Sequence, residues 1–167
     1  MMIHIMGSQS TSSLSNVQPQ DIQPNAVDLR VDKIFKISSN TFILSDSENK
    51  KIHRGSEEIK TMYGTNWWRL EPGSYEIVME NIVEMGPDEV GWVITRSTLN
   101  RNGVYITSGL YDSGYHGVMA GTLHITNGAF EIERGTRVGQ FITFKAESLS
   151  QYAGSYGLKS EHDKKYS

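Results

Sequence analysis

The amino-acid sequence predicts a single all-β domain with a distorted β-barrel or jelly-roll-like fold. Short stretches in which apolar and polar residues alternate recur along the chain, and glycine turns separate them. No long segment shows the 3.6-residue period of an amphipathic helix, so helices are expected only as short segments. The length of 167 residues is that of one ordinary domain.

Alternating runs of apolar and polar residues mark the individual strands. Two short runs within Asp28–Leu44, on either side of residues 38–40, indicate a hairpin. Further strands are predicted at Tyr75–Val83, Tyr105–Gly109, Met119–Thr126, Ala129–Glu133 and Gln140–Phe144. Asn127-Gly128 lies between two of these strands and is typical of a tight hairpin turn. One short helix is expected at Thr95–Arg101 and one helical turn at Ser56–Met62.

The two ends of the chain differ in composition from the segment between them. Residues 1–20 include a stretch rich in Ser, Gln and Thr with little apolar mass, which favours a flexible N-terminal arm. Residues 148–167 are rich in Gly, Ser and Lys and show no core pattern, which favours a flexible C-terminal tail. The β domain is therefore expected at residues 21–147.

Composition argues against several classes of protein. The net charge of −3 and the pI near 5.9 argue against a nucleic-acid coat or a polybasic membrane patch. Because the chain has no cysteine, disulfides and thiolate zinc sites are excluded. No apolar run reaches membrane-spanning length, and the first residues lack the features of a signal peptide. We expect a cytoplasmic protein, or a host-cytoplasmic one if the short divergent chain is viral.

Two adjacent motifs indicate a nucleotide site. Arg96, Ser97 and Arg101 place two guanidiniums and a hydroxyl within six residues, which suits a polyphosphate better than a single carboxylate. Asp112 and Tyr115 follow in GLYDSGYHG, and a carboxylate beside an aromatic ring completes a nucleotide pocket. The alternatives are solvated charges on a strand–turn–strand unit, a turn-capping aspartate and a core tyrosine.

These motifs resemble those of the dCTP deaminase and trimeric dUTPase superfamily. RSTLNRNGV is similar to its phosphate motif RSSLxRxGL, and GLYDSGYHG is similar to GxIDxxYxG. IQPNAVDLRV resembles the early QPASxDLRL of the deaminases, FEIERGTRVGQFITF resembles PxxLxPGxRIxQLxF, and QYAGSYG resembles the tail motif YxGKYG. The resemblance covers roughly residues 20–160 with the motifs in one order, which chance does not readily produce.

The resemblance implies a homotrimer with active sites between subunits and a C-terminal tail that covers the bound nucleotide. It implies that Asp112 orients the attacking water, that Mg2+ bridges phosphate oxygens, and that Tyr115 packs under the deoxyribose and excludes a 2′-hydroxyl. It places Gln140 near the phosphates, although an edge-strand polar residue is an equal interpretation. In the tail, Tyr152 and Tyr156 can stack on a base and Lys159 can meet a phosphate, unless the tail is simply disordered.

One departure from the superfamily pattern distinguishes its branches. The deaminases use a glutamate on the strand after the aspartate motif as general base, and here that position holds Thr122 or His124, depending on the alignment. Neither supplies a carboxylate, so we predict a dUTP diphosphatase that converts dUTP and water into dUMP and diphosphate. The alternatives are a dCTP deaminase, with His124 or an unrecognised carboxylate as base, and a non-catalytic nucleotide-binding regulator.

Overall fold

Three long antiparallel strands form the centre of the computed structural model, which describes residues 1–167. These strands are β3 (Val27–Ile37), β8 (Gly73–Glu84) and β11 (His116–Ile125), and their β-branched and apolar residues suit a pleated, buried surface. The shorter strands are β1 (Met2–Ile3), β2 (Ser13–Leu14), β4 (Ile43–Ser45), β5 (Lys50–Ile52), β6 (Ser56–Glu58), β7 (Trp67–Leu70), β9 (Glu89–Thr95), β10 (Val104–Thr107), β12 (Phe130–Glu133) and β13 (Arg137–Lys145).

Nine strands belong to one sheet with the order β1-β13-β3-β8-β11-β10. Strand β2 pairs with β8, β6 with β3 and β9 with β13, while β12–β7 and β4–β5 form two-stranded ribbons. Helices are confined to α1 (Ser97–Asn100) and to 3-10 helices at Pro19–Asp21 and His162–Tyr166. The predicted all-β class is confirmed, although the sheet does not close into a barrel. None of the helices has the length and hydropathy of a membrane-spanning segment.

The core lies between the central strands and the β7–β12 ribbon. Trp68 and Leu70 of the ribbon are buried in one apolar cluster with Ile34, Ile77 and Leu123 of the three long strands. The indole N–H of Trp68 donates to the carbonyl of Ile59 at 2.8 Å, so its polar atom is satisfied. Burial of each such side chain contributes roughly 1.5–3 kcal/mol, so this cluster holds the ribbon on the sheet.

The predicted boundary at residue 20 does not coincide with a break in the structure. Strand β1 pairs with β13, where Met2 lies opposite Phe144 and Ile3 opposite Thr143. Ile3 and Ile5 are buried, which gives the first residues an apolar anchor that the Ser- and Gln-rich stretch after them conceals in the composition. The N-terminal residues therefore pack onto the sheet, contrary to the prediction of a separate arm.

Two predicted hairpins and one predicted helical turn are wrong. The end of β3 pairs with β6, where Phe35 lies opposite Glu58, and not with β4. Ser56–Met62 accordingly begins as a strand, because β3 offers it a free edge. The chain bends at Asn127-Gly128, with a φ of 47° at Gly128, but it leaves β11 there for a different sheet. Local turn chemistry does not reveal which partner a strand finds.

Buried Glu89 ties the N-terminal segment to the sheet. Its carboxylate accepts hydrogen bonds from the backbone N–H groups of Thr11 and Ser12 at 2.8 and 3.2 Å, from the Ser10 hydroxyl at 2.9 Å and from Lys145 Nζ at 2.6 Å. Burial alone would raise the pKa of Glu89, but the hydrogen bonds, led by that from Lys145, lower it to about 2. The polar N-terminal stretch is thus ordered by one carboxylate.

Glu89→Gln should lower the free energy of unfolding at neutral pH by about 2 kcal/mol, because Lys145 loses its charged partner. The stability contributed by ionised Glu89 is complete above the ordinary carboxyl pKa of 4.5 and is lost as the pH falls through about 2. Urea unfolding curves should therefore show a difference between variant and wild type that shrinks over this range. A difference independent of pH would show that Glu89 is not held in its ionised form.

Candidate active site

Strand β13 gathers one set of predicted site residues around a buried carboxylate. Gln140 lies opposite Asp28 of β3 and opposite Ile94 of β9, so side chains from three strands share one face. The side chain of Asp28 is fully buried and accepts a hydrogen bond from Gln140 Nε2 at 3.2 Å. The same carboxylate meets Arg96 Nε at 3.5 Å and Arg137 Nη1 at 3.2 Å. Asp28 therefore fixes the positions of two guanidiniums.

Helix α1 confirms the short helix predicted after Thr95 and presents the other two phosphate-site candidates. Arg96 precedes the helix, and the N–H of Arg101 donates to the carbonyl of Ser97 at 3.0 Å. Residues four apart on a helical turn share a face, so the Ser97 hydroxyl and the Arg101 guanidinium lie on the same side. Both residues are exposed and their side chains make no hydrogen bond or ion pair within the chain. These groups are free to bind an anion.

A second group of predicted residues lines a cavity of about 470 Å³ at the other end of β9. Tyr111, Tyr115, Val118 and Ala120 form its floor. The Tyr115 ring packs edge-on against Tyr111 at 5.3 Å and against Tyr152 of the tail at 5.2 Å. Burial raises the pKa of both Tyr111 and Tyr115, which keeps their hydroxyls neutral. A mostly apolar cavity of this size suits a small organic ligand.

Asp112 lies beside this cavity with a free carboxylate. The turn that follows it is closed by its backbone, because the carbonyl of Asp112 accepts a hydrogen bond from the N–H of Tyr115 at 3.0 Å. The side chain is exposed, accepts no hydrogen bond within the chain, and faces a hollow bordered by residues 147–153 of the tail. The alternative role of Asp112 as a side-chain turn cap is therefore not what the structure shows.

His124 and Thr122 do not line the cavity. Both ring nitrogens of His124 are engaged, Nδ1 with Ser74 Oγ at 3.1 Å and Nε2 with Thr107 Oγ1 at 3.0 Å, and the ring stacks on Tyr105 at 4.6 Å. These contacts hold His124 on the surface of the sheet, between Ser74 of β8 and the β10 residues Tyr105 and Thr107. The carboxylate nearest in register to Thr122 is Glu76, which lies directly opposite it on β8 and lines the cavity.

The tail forms the other side of the cavity. Tyr152, Tyr156, His162, Asp163 and Tyr166 line it from this side. The N–H of Tyr152 donates to the carbonyl of Ser113 at 2.7 Å, which places the start of the tail next to Asp112. Lys159 is exposed and borders a neighbouring hollow with Gly114 and His116. Tyr152 and Tyr156 are thus placed with Tyr115, whereas Gln140 lies at the Asp28 cluster.

A single chain does not bring Asp112 to the Arg96 cluster. Tyr111 forms a β-bridge with Gly91 near the start of β9, and Arg96 follows the end of that strand. Five residues of extended chain span about 16 Å. The cavity and the anion-binding groups therefore lie at opposite ends of β9, and a ligand that used both within one chain would have to span that distance.

The Arg96 cluster and the tyrosine-lined cavity each contain residues that the sequence did not single out. Asp28 and Arg137 are the partners that hold Arg96, and Glu76 supplies a carboxylate to the cavity. The DLR segment around Asp28 was a detectable signal, because it formed part of a recognised motif. Glu76 carried no signal, since only the register between β8 and β11 places it opposite Thr122.

Comparison with known proteins shows the family of the chain. A family model described as dCTP deaminase-like matches residues 3–146. The chain belongs to the dCTP deaminase-like family. A relative in Aeropyrum pernix, a probable deoxyuridine 5'-triphosphate nucleotidohydrolase, is 33% identical over 138 residues, which are 81% of this chain and 84% of that protein. A deoxyuridine 5'-triphosphate nucleotidohydrolase of Methanocaldococcus jannaschii is 25% identical over 91% of this chain and 97% of its own.

Solved structures share the fold at low sequence identity. A 2'-deoxycytidine 5'-triphosphate deaminase from Agrobacterium tumefaciens matches with a TM-score of 0.60 and 15% identity. The match covers 83% of this chain and 45% of the deaminase chain, so this chain spans less than half of that protein. A mutant dUTPase of Staphylococcus bacteriophage 80alpha, solved with dUpNHpp, matches with a TM-score of 0.50 and 15% identity over 86% of this chain and 97% of its own.

The dCTP deaminase-like match covers the predicted phosphate clamp and the aspartate motif but not the whole tail. Arg96 through Gln140 lie within residues 3–146, whereas Tyr152, Tyr156 and Lys159 lie beyond them. No group of three or more His, Asp or Glu side chains in the chain is arranged to hold a metal ion.

Proposed function

We propose that this chain is a dUTP diphosphatase, which hydrolyses dUTP to dUMP and diphosphate. The relatives named above carry this activity in their names. The observation that supports it in the chain itself is the free carboxylate of Asp112 beside the tyrosine-lined cavity. A nucleotide whose base and sugar lie in the cavity would direct its phosphate chain towards the solvent-exposed carboxylate of Asp112.

Asp112 orients the water that attacks the α-phosphorus. Its carboxylate accepts a hydrogen bond from the water, which raises the electron density on the attacking oxygen. The water oxygen bonds to the α-phosphorus as its proton passes to the Asp112 carboxylate, the bond from that phosphorus to the bridging oxygen breaks, and diphosphate leaves. Tyr115 packs under the deoxyribose, and its flat ring leaves no space for a 2′-hydroxyl.

The phosphate chain is held by Arg96, Ser97 and Arg101 of another copy of the chain. Arg96 is already oriented by Asp28, while Ser97 and Arg101 are exposed and free. Because the clamp lies about 16 Å from the Asp112 end of β9, one chain does not supply both parts of the site. A homotrimer in which each site joins the cavity of one subunit to the clamp of its neighbour resolves this separation.

An exposed apolar face next to the clamp supports this assembly. Trp92 and Ile94 of β9 are 38% and 39% exposed, and Met2 of β1 is 43% exposed. The Trp92 ring stacks on Phe144 of β13 at 5.1 Å. Gln140 lies opposite Ile94, so the Asp28 cluster borders the same face. We assign this face to the contact between subunits, because a contiguous exposed apolar surface marks an interaction site.

Magnesium would be carried by the nucleotide. Mg2+ prefers octahedral oxygen ligands, keeps several waters and is often bound through substrate phosphates with few protein carboxylates. The free carboxylate of Asp112 suits a role towards such a hydrated ion. When bound, the ion neutralises negative charge on the phosphate oxygens, while Arg96 and Arg101 contribute positive charge from the protein.

Deamination of dCTP is the second candidate, because Glu76 lines the cavity opposite Thr122. A carboxylate at this place resembles the general base that Thr122 and His124 do not supply. Glu76 is, however, engaged by Lys165 and Tyr166 of the tail. A carboxylate with both oxygens occupied by donors is poorly suited to take a proton from water, so hydrolysis of dUTP is favoured.

Purified protein with Mg2+ should release dUMP and diphosphate from dUTP and no ammonia from dCTP, with turnover lost in EDTA. Asp112→Asn keeps the size of the side chain and one acceptor but loses the charge, so kcat should fall by about 100-fold or more while dUTP still binds. Chromatography of the nucleotides and an ammonia assay measure both reactions. Ammonia from dCTP would support deamination, and binding without turnover would support a regulatory protein. Full activity of the Asn variant would remove Asp112 from the mechanism.

Trp92→Glu should convert the trimer into monomers at micromolar concentration, because it places a charge in the proposed contact. Tyr63→Glu is the matched control, since Tyr63 is a fully exposed aromatic residue outside this face. Multi-angle light scattering measures the mass of each species. A wild-type monomer, or a trimer that persists in the Trp92 variant, would contradict the assignment of the face.

A further inference from the structure

The last turn of the chain docks on a carboxylate at the cavity wall. Glu76 Oε2 pairs with Lys165 Nζ at 2.8 Å and accepts a hydrogen bond from Ser56 Oγ at 3.3 Å. Glu76 Oε1 accepts a hydrogen bond from the Tyr166 hydroxyl. The Glu76 side chain is only 16% exposed, so water competes little with these contacts. Two of its three partners come from the C-terminal 3-10 helix.

Other contacts from β3 hold the same turn. Lys33 Nζ donates to the carbonyl of Tyr166 at 2.7 Å, and the Phe35 and Tyr166 rings pack edge to face at 6.0 Å. Lys165 lies over the Phe35 ring, 5.6 Å from its centroid. Burial raises the pKa of Tyr166, which keeps its hydroxyl a hydrogen-bond donor. The docking surface is thus formed by β3 and β8 of the same chain.

The β4–β5 ribbon contacts the preceding part of the tail. Lys51 Nζ donates to Ser155 Oγ at 3.1 Å and lies 4.9 Å from the centroid of the Tyr156 ring. The His53 and His162 rings are 4.8 Å apart. The polar segment between β3 and β7 therefore holds the tail from one side.

The docked tail encloses the cavity without filling it. Asp163 Oδ2 accepts a hydrogen bond from the N–H of Gly157 at 2.6 Å and draws the tail into a closed loop. Gly157 has a φ of 123°, and a Cβ there would lie 2.7 Å from the carbonyl oxygen of His116, so the loop approaches the sheet closely. About 470 Å³ remains between the tail and the floor formed by Tyr111 and Tyr115. This volume lies within the range of ligand sites.

We propose that Glu76 is a positioning residue that anchors the last turn of its own chain, so that the tail closes over the nucleoside cavity. This proposal rests on the proposed function, in which that cavity holds the nucleoside of dUTP. Glu76 acts on nucleotide binding through Lys165 and Tyr166, which contact its two carboxylate oxygens. An undocked tail would leave the cavity open to water and would remove Tyr152 and Tyr156 from its lining.

The kinetic test compares Glu76→Gln in two chains, one complete and one ending at Glu161. In the complete chain, Glu76→Gln should raise the KM for dUTP about tenfold and change kcat by less than about threefold, because binding is weakened more than chemistry. In the shortened chain the same substitution should change KM by less than about twofold, since its partners are absent. An equal effect in both chains would overturn the proposal and would indicate that Glu76 contacts the nucleobase or stabilises the fold.

A second measurement does not depend on turnover. Tryptic cleavage after Lys164 should be about tenfold faster in Glu76→Gln than in the wild-type protein without nucleotide, because the anchor is lost. Glu58→Gln is the matched control, since Glu58 of β6 pairs with exposed Lys60 and does not contact the tail. If Glu76→Gln fails to fold, the Lys165→Met, Tyr166→Phe double variant removes the contact from the tail side and should give the same acceleration.

The two experiments separate the anchor from the proposed function. Unchanged cleavage in a folded variant would overturn the anchor even if dUTP is hydrolysed. Failure of the wild-type protein to hydrolyse dUTP would contradict the proposed function, and the cleavage rates would still decide whether Glu76 holds the tail.

Discussion

The position of β13 between β3 and β9 determines where the groups of the site lie. Gln140 faces Asp28 on one side and Ile94 on the other, so one buried carboxylate can hold both Arg96 and Arg137. The same pairing extends β9 as a straight strand from the Arg96 cluster to the bridge beside Asp112. This separates the anion-binding groups from the cavity, and in the proposed trimer a second copy of the chain joins the two parts of the site.

The class of the fold followed from the sequence because alternation of apolar and polar residues is a local property. The short helix after Thr95 was also predicted from local sequence. The pairing of strands was not, since β6 takes the edge of β3 and β12 joins a separate ribbon only when the whole sheet is assembled. The ordered N-terminal residues depend on Glu89, which lies more than 70 residues away and gives no local signal.

The candidate site residues differ in the same way: some belong to local motifs, and others come together only through strand pairing. Arg96, Asp112 and Tyr115 belong to contiguous motifs, so the sequence alone marks them as candidates. Asp28 appeared only within a motif, and its role as the acceptor for two arginines required the register of β13. Glu76 could not be predicted, because it faces the cavity through pairing with Thr122 and receives the tail from nearly 90 residues away.

Subunit complementation tests the shared site most directly. Arg96→Ala and Asp112→Asn are each expected to be inactive alone, because each lacks one half of every site. If the two are unfolded, mixed in equal amounts and refolded together, about a quarter of the sites should combine an intact Asp112 with an intact Arg96 from different chains. We expect recovery of dUTP hydrolysis to about that fraction of the wild-type rate. Mixed trimers that remain inactive would show that each chain builds its site alone.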